Sequence, residues 1–170
     1  MRSIRSLPEA VWTPLAVALI ALVPGIVGLA AGRPFLFPSV GPTAVLQAHK
    51  PDEPSSRPYN ILVGHLAGLG AAFLMVTLLG IGQQKSVFEL GHLTNERVAA
   101  AVLALALAAL LEIVLRAPHP PAAATTLLAA LGAFKPTTRD AVTVIVGILL
   151  VIVVGEVLRR LRAAPEGSRG

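Results

Sequence analysis

Two short stretches of the sequence bring proline together with hydroxylated residues, and the second also contains a histidine. The first stretch holds Ser39, Gly41 and Thr43, and the second holds His119, Thr125 and Thr126. The prolines that open them are Pro38 and Pro42 in the first stretch and Pro120 and Pro121 in the second. Because proline suits the first turn of a helix, each stretch predicts the start of a short helix. The N–H groups and the dipole at such a start attract anions, so both stretches favour the binding of a small anion.

Basic residues accompany both stretches. Arg33 precedes the first and Arg116 precedes the second. Each arginine could draw an anion toward the helix start, or could simply anchor the end of a preceding membrane helix at the interface. His119 could hold the ion or merely cap the helix. Glu112, four residues before Arg116, is spaced for a local ion pair that would neutralise this arginine.

A further histidine, His65, lies inside a long apolar run. An ionisable side chain in such a position rarely faces lipid and is a candidate functional residue. It could form a hydrogen bond to one of the short helices, or it could relay a proton, a role that His119 could also take.

The apolar runs that must position these residues are those of a membrane protein. Hydrophobic residues make up 55% of the 170 and charged residues only 14%, whereas a typical soluble domain is about 25% charged. Four runs are long enough to cross a hydrocarbon core of roughly 30 Å as helices, and they cover residues 11–31, 59–82, 98–115 and 141–158. The sequence therefore predicts an all-α membrane protein, with four transmembrane helices in a single domain over residues 1–170. The first run could also be a signal peptide, but its length favours a retained helix.

Two short apolar segments, residues 35–48 and 118–133, contain the proline-rich stretches. The order long, short, long occurs twice, which predicts two repeats of about 80 residues, at 11–82 and 98–160. Each short segment is too short to cross the membrane as a helix. We therefore predict that each is a re-entrant half-helix that returns to its side of origin, with its backbone buried in protein or lining a wet cavity. The two repeats would then run parallel, and both termini would share one face.

That face would carry the larger share of the lysine and arginine residues, which indicates the cytoplasm by the positive-inside rule. We thus expect a multi-pass protein in the lipid bilayer of a bacterial inner membrane, with both termini cytoplasmic. Glycines four residues apart, Gly28 with Gly32 and Gly64 with Gly68, let helices approach closely. They could serve packing within one chain, but four helices make a small bundle to enclose a pathway, so we expect a homo-oligomer.

Other classes of function find little support in the sequence. The net charge is +5, but the basic residues flank apolar runs, and no basic face with interleaved aromatic residues indicates a nucleic-acid partner. The absence of cysteine excludes disulfides and thiolate chemistry. No motif of a serine hydrolase, zinc protease or phosphate-binding loop occurs. The sequence predicts no catalytic residue, no metal site and no cofactor.

Three motifs, in order along the chain, resemble those of the HPP family of integral membrane proteins. They are Phe-Pro-Ser-Val-Gly-Pro-Thr-Ala at 37–44, Arg-Pro-Tyr-Asn-Ile-Leu-Val-Gly-His at 57–65 and His-Pro-Pro-Ala-Ala-Ala-Thr at 119–125. The resemblance implies four membrane helices and a structural role for Pro38, Pro42, Asn60, Pro120 and Pro121. Some family members are linked to nitrite transport, so it also implies nitrite as the anion. Ala123 and Pro42 depart from residues that are frequent in the family.

The function predicted is a transporter or channel for a small anion, plausibly nitrite, and not an enzyme. Its binding residues would be Arg33, Ser39, Gly41, Thr43, His65, Arg116, His119, Thr125 and Thr126. The alternatives are a membrane scaffold or assembly protein without transport activity and, with less support, a membrane-embedded hydrolase.

Overall fold

The computed structural model describes residues 7–163, and in this range the chain forms seven α-helices and no strand. Four helices are long: α1 (Glu9–Ala31), α3 (Pro58–Leu78), α5 (Asn95–Val114) and α7 (Thr138–Ala163). Three are short: α2 (Val40–His49), α4 (Val87–Leu90) and α6 (Ala122–Ala130). A single 3-10 turn at Pro54–Ser56 precedes α3.

All four predicted membrane spans are confirmed, because each long helix is long and apolar enough to cross a bilayer. The helix α7 extends beyond its apolar run at both ends, and Thr137 caps its start by accepting from Asp140 N at 3.2 Å. The helix α4 was not predicted. Ser86 and Glu89 form a capping box around its first turn, and the hydrogen bonds from Ser86 hold the pKa of Glu89 below its usual value.

The first short segment runs back along the full length of α1. The helix α1 begins at the face where α7 ends, and there Glu9 accepts from Arg162 Nη2 at 2.6 Å. We call this the terminal face. His49, at the end of α2, also lies there, 3.8 Å from Glu9. At the opposite face, just after α1, Arg33 donates to the carbonyl oxygen of Arg139 at 2.7 Å.

The second short segment runs along α5 in the reverse sense. At its start the segment contacts the loop of the terminal face, because Nδ1 of buried His119 donates to the carbonyl oxygen of Ser55 at 2.7 Å. At the opposite face the carbonyl oxygen of Ala130, at the end of α6, accepts from Arg97 near the start of α5 at 3.0 Å. The segment therefore connects one face with the other.

The structure thus differs from the predicted re-entrant path, since each short segment continues to the far end of the preceding long helix. The prediction rested on each short segment being too short to cross the membrane as a helix. The ten residues of α2 cover about 15 Å, and the non-helical residues 32–39 add up to about 25 Å. Together they match the length of about 35 Å of the 23-residue α1.

This path also changes the relation between the two halves of the chain. The helices α1 and α3 start at the terminal face, whereas α5 and α7 end there. The two halves therefore run in opposite directions. The prediction that they run parallel was wrong. The start of α1 and the end of α7 still share one face, as expected.

Small residues fill the interior, and large apolar residues cover the outside. The buried stripe of α5 consists of Ala100, Ala104 and Ala108, whereas Leu29 and Ile113 are 85% and 75% exposed. In lipid, helices associate by close packing of small residues, because large apolar side chains gain little by leaving the hydrocarbon. The two short helices occupy this interior, with α2 against α1 and α7, and α6 against α3 and α5.

This path can be tested with single cysteines, since the sequence contains none. Lys50→Cys and Arg160→Cys should react with a membrane-impermeant maleimide from the same side of the membrane, and His92→Cys from the other, because these exposed residues lie on those faces. Labelling would be measured on intact and on lysed spheroplasts. A re-entrant path would instead place Lys50 opposite Arg160 and would contradict the structure.

Candidate functional site

The starts of α2 and α6 meet well inside the protein. Each short helix extends about 15 Å from its start to one face, so both starts lie near mid-depth. Ser39 directly precedes α2, and its Oγ lies 2.7 Å from Oγ1 of Thr125 in α6. Thr43 and Thr125 are each the fourth residue of their helix. Two helix N-termini with their hydroxyl side chains are therefore brought together.

His65 of α3 connects the two short helices. Its Nδ1 lies 2.8 Å from Oγ1 of Thr125, and its Nε2 lies 3.2 Å from Oγ1 of Thr43. His65 lies on the same face of α3 as Gly64 and Gly68, which pack against the second short segment. One imidazole thus bonds to the equivalent residue of both short helices.

His119 completes the arrangement. Its Nε2 lies 3.2 Å from Nε2 of His65 and 3.2 Å from Oγ1 of Thr43. The two imidazole rings are 4.8 Å apart and inclined at 63°. We call Ser39, Thr43, His65, His119 and Thr125 the histidine network. No member of the network is more than 2% exposed, so it is closed to water on both sides.

The hydrogen-bond partners fix the protons of the two histidines when both are neutral. Nδ1 of His119 faces a carbonyl oxygen, which can only accept, so this nitrogen carries the proton and Nε2 is bare. Thr43 donates to the carbonyl oxygen of Ser39 at 2.9 Å, so its Oγ1 can only accept toward the imidazoles, and Nε2 of His65 is the ring nitrogen that can donate to it. The proton between the two Nε2 atoms therefore belongs to His65. Nδ1 of His65 accepts from Thr125, which accepts from Ser39 in turn.

Five of the nine predicted binding residues form this network. Thr126 lies beside it, where its hydroxyl donates to the carbonyl oxygen of Ala122 at 3.1 Å and packs against Gly68. Gly41 is in the first turn of α2, with open space where a Cβ would stand. Asn60 donates to the carbonyl oxygen of Pro118 at 3.5 Å and so holds the approach to His119. The prolines Pro38, Pro42, Pro120 and Pro121 precede or open the short helices, as predicted.

The two predicted arginines lie away from the network. Arg33 donates to Thr143 and to the carbonyl oxygen of Arg139, both at 2.7 Å. Arg116 is exposed, with a left-handed backbone at φ 51°. Glu112 accepts from the backbone N–H of His119 at 3.1 Å. The binding of an anion by Arg33 and Arg116 stays a prediction.

Arg97 is a residue that sequence reasoning missed. It is 1% exposed, and its guanidinium donates to four carbonyl oxygens at 3.0–3.3 Å, those of Ala130, Ile81, Gln84 and Lys85. A cation at a helix C-terminus stabilises the negative end of the dipole, so Arg97 fixes the end of α6. The sequence signal was its position inside an apolar helix, three residues after the Thr94 cap.

These features define an integral membrane protein whose two short helices meet on a buried polar network. The chain belongs to the HPP family, since the family model of the HPP transmembrane region matches residues 3–166. The resemblance drawn from the three sequence motifs is thereby confirmed. No curated protein and no solved structure matches the chain.

The close approach of α3 to the network predicts a difference between two glycines. A Cβ at Gly64 would lie 2.8 Å from Cβ of His119, whereas nothing lies within 4 Å of one at Gly70. Gly64→Ala should therefore lower the free energy of unfolding by about 1–3 kcal/mol. Gly70→Ala, the matched control in the same helix, should leave it unchanged or raise it by up to about 1 kcal/mol. Denaturant unfolding in detergent would measure both, and equal effects would contradict the packing described.

The carbonyl oxygens around Arg97 predict a large effect of its removal. Arg97→Met leaves four buried or half-buried acceptors without this donor, and should reduce stability by about 3 kcal/mol or more. Arg116→Met is the control, because Arg116 is exposed. The midpoint of thermal unfolding in detergent should fall for the first variant only. An unchanged midpoint for Arg97→Met would show that these hydrogen bonds do not hold α6.

Proposed function

We propose that this protein transports a small anion across the membrane, with nitrite as the candidate that its family favours. The observation that carries the proposal is the meeting of two helix N-termini on a buried network of hydroxyl and imidazole groups. The positive ends of two helix dipoles converge there, and discontinuous helices near mid-depth are how many transporters build their substrate sites.

The chemistry of the network suits a small anion with oxygen acceptors. Its side chains offer O–H and N–H donors, and none of the five is a carboxylate that would repel an anion. The two Nε2 atoms both lie 3.2 Å from Oγ1 of Thr43, so an acceptor at this position contacts both imidazoles. Nitrite is a three-atom anion and could take such a position after small movements of the surrounding side chains.

The architecture supports alternating access. We infer that α1–α3 and α5–α7 are inverted repeats, related by a pseudo-twofold axis in the membrane plane. The packing pairs support this: α1 on α2 corresponds to α5 on α6, and α2 on α7 corresponds to α6 on α3. Thr43 and Thr125 occupy the same position of the two repeats. Transporters of this kind move one repeat against the other around a site at the midplane.

Two features indicate how each side of the network would open. Toward the opposite face, Phe37 and Phe134 pack edge to face with ring centroids 5.4 Å apart and form a seal. Toward the terminal face, a cavity of about 280 Å³ is lined by Gln47, one helical turn beyond Thr43. Oε1 of Gln47 is buried and has no hydrogen-bond partner in the described part of the chain. This cavity would give the anion access from the terminal face.

We infer that the terminal face is cytoplasmic in a bacterial inner membrane. Among the described residues, this face carries Lys50, Arg57, Arg116, Arg159, Arg160 and Arg162. The opposite face carries Arg33, Lys85, Arg97, Lys135 and Arg139. Arg2, Arg5 and Arg169 add to the first group in the sequence, where they flank α1 and α7. The positive-inside rule then favours cytoplasmic termini.

The glycine spacing gives less support to the predicted homo-oligomer. Gly28, Gly64 and Gly68 all pack against segments of the same chain, so their spacing serves internal packing. An assembly of several copies stays a prediction.

A counterflow assay tests the proposed function. Purified protein in liposomes should exchange nitrite, and the assay should be repeated with nitrate, formate and chloride. Thr43→Val and His119→Ala should abolish the exchange, because they remove groups at the point where both imidazoles meet Oγ1 of Thr43. Thr77→Val, an exposed threonine of α3, is the matched control and should exchange like the unmodified protein.

The results also separate transport from the alternative of a membrane scaffold. A scaffold would show no exchange of any of the four anions and would co-purify with a stable partner. Normal exchange by folded Thr43→Val and His119→Ala would remove the histidine network from the mechanism.

A further inference from the structure

An anion inside the histidine network would meet no permanent positive charge. Among the residues that the structure describes, the nearby arginines are engaged elsewhere or exposed. Arg33 donates to Thr143 and a carbonyl oxygen, and Arg97 donates to four carbonyl oxygens at the opposite face. Burying an unpaired ion is strongly unfavourable, and helix dipoles offset only part of this cost. A compensating charge must therefore come from within the network.

The two imidazoles are the groups that can supply this charge. Each can bind a second proton and become a cation, and their Nε2 atoms are already 3.2 Å apart with a single proton between them. The remaining groups around the pair are hydroxyls on α2 and α6, the carbonyl oxygen of Ser55, and Glu112 on α5. Glu112 is the one carboxylate among these contacts, and it accepts from the backbone N–H of His119 and not from its ring.

We propose that the anion crosses together with a proton, which the His65–His119 pair binds, so that transport is electroneutral. This inference rests on the proposed function and names its coupling ion.

The proton has a defined place in the network. A proton taken from water on one side forms an N–H bond at Nε2 of His119, the nitrogen that is bare in the neutral network. The Nε2–H of His65 can then no longer donate to that nitrogen and turns toward the position of Thr43 Oγ1. Two N–H groups, one of them on an imidazolium, thereby converge where an oxygen of the anion would lie.

Release reverses these steps on the other side of the membrane. The N–H bond at His119 breaks, the proton leaves to water with the anion, and both rings return to the neutral state. The hydrogen bond from His65 to His119 re-forms. The net result is the movement of equal numbers of anions and protons, with no net charge.

The test uses the full chain in liposomes and measures nitrite uptake and proton uptake separately. Undissociated nitrous acid also crosses lipid, so the rates in protein-free vesicles are subtracted. The membrane potential is set with potassium and valinomycin. We expect equal uptake of nitrite and protons, acceleration by an inward proton gradient and no response to the potential. Nitrite uptake that is driven by the potential without proton uptake would overturn the inference and leave the proposed function standing. No nitrite uptake at all would overturn both.

Two variants locate the proton on the histidine pair. His65→Gln and His119→Gln each replace the imidazole by an amide, which can form hydrogen bonds but cannot bind a proton. In each, the uptake that follows the proton gradient should fall to the rate of protein-free vesicles, whereas exposed His92→Gln should keep the full rate. Proton-coupled uptake at the full rate in both folded variants would overturn the assignment to the pair. If neither variant folds, the ratio of proton uptake to nitrite uptake by the unmodified protein decides whether the anion crosses with a proton.

Discussion

The structure depends on one constraint: polar groups at mid-depth of a membrane must find their partners within the protein. Here that constraint is met where the starts of two short helices face each other. Ser39 and Thr43 on one side bond to Thr125 and the histidines on the other. Because each donor and acceptor of the network is matched, the two halves of the chain are held in one register. The same matching places the groups that an anion would need at a single point.

The rest of the fold serves this meeting point. Non-helical residues bring the chain from a face to mid-depth before each short helix begins, so the helix starts and not their ends lie in the interior. Glycines of α3 let α6 approach without a gap, and Arg97 holds the far end of α6 through its carbonyl oxygens.

Sequence reasoning predicted the long helices, since each is a continuous apolar run, and it predicted Ser39, Thr43, His65, His119 and Thr125 as site residues. Their residue types are costly in lipid, which is why they are visible in the sequence. The path of the short segments was not predictable from hydropathy, because their non-helical residues have no periodic signal. Arg97 was missed because it directly precedes the predicted apolar run 98–115 and was counted with the polar connector. The contact of His119 with the Ser55 carbonyl was missed because a backbone atom gives no side-chain signal in the sequence.

The most direct test of the account is the nitrogen NMR spectrum of His65 and His119 in protein labelled at histidine and reconstituted in lipid. Near neutral pH and without anion, His119 should be neutral, with its proton on Nδ1 and a bare Nε2. Saturating nitrite should convert one of the two rings to an imidazolium, while chloride-free buffer alone should not. Spectra that nitrite leaves unchanged would contradict the claim that this network binds the anion with a proton.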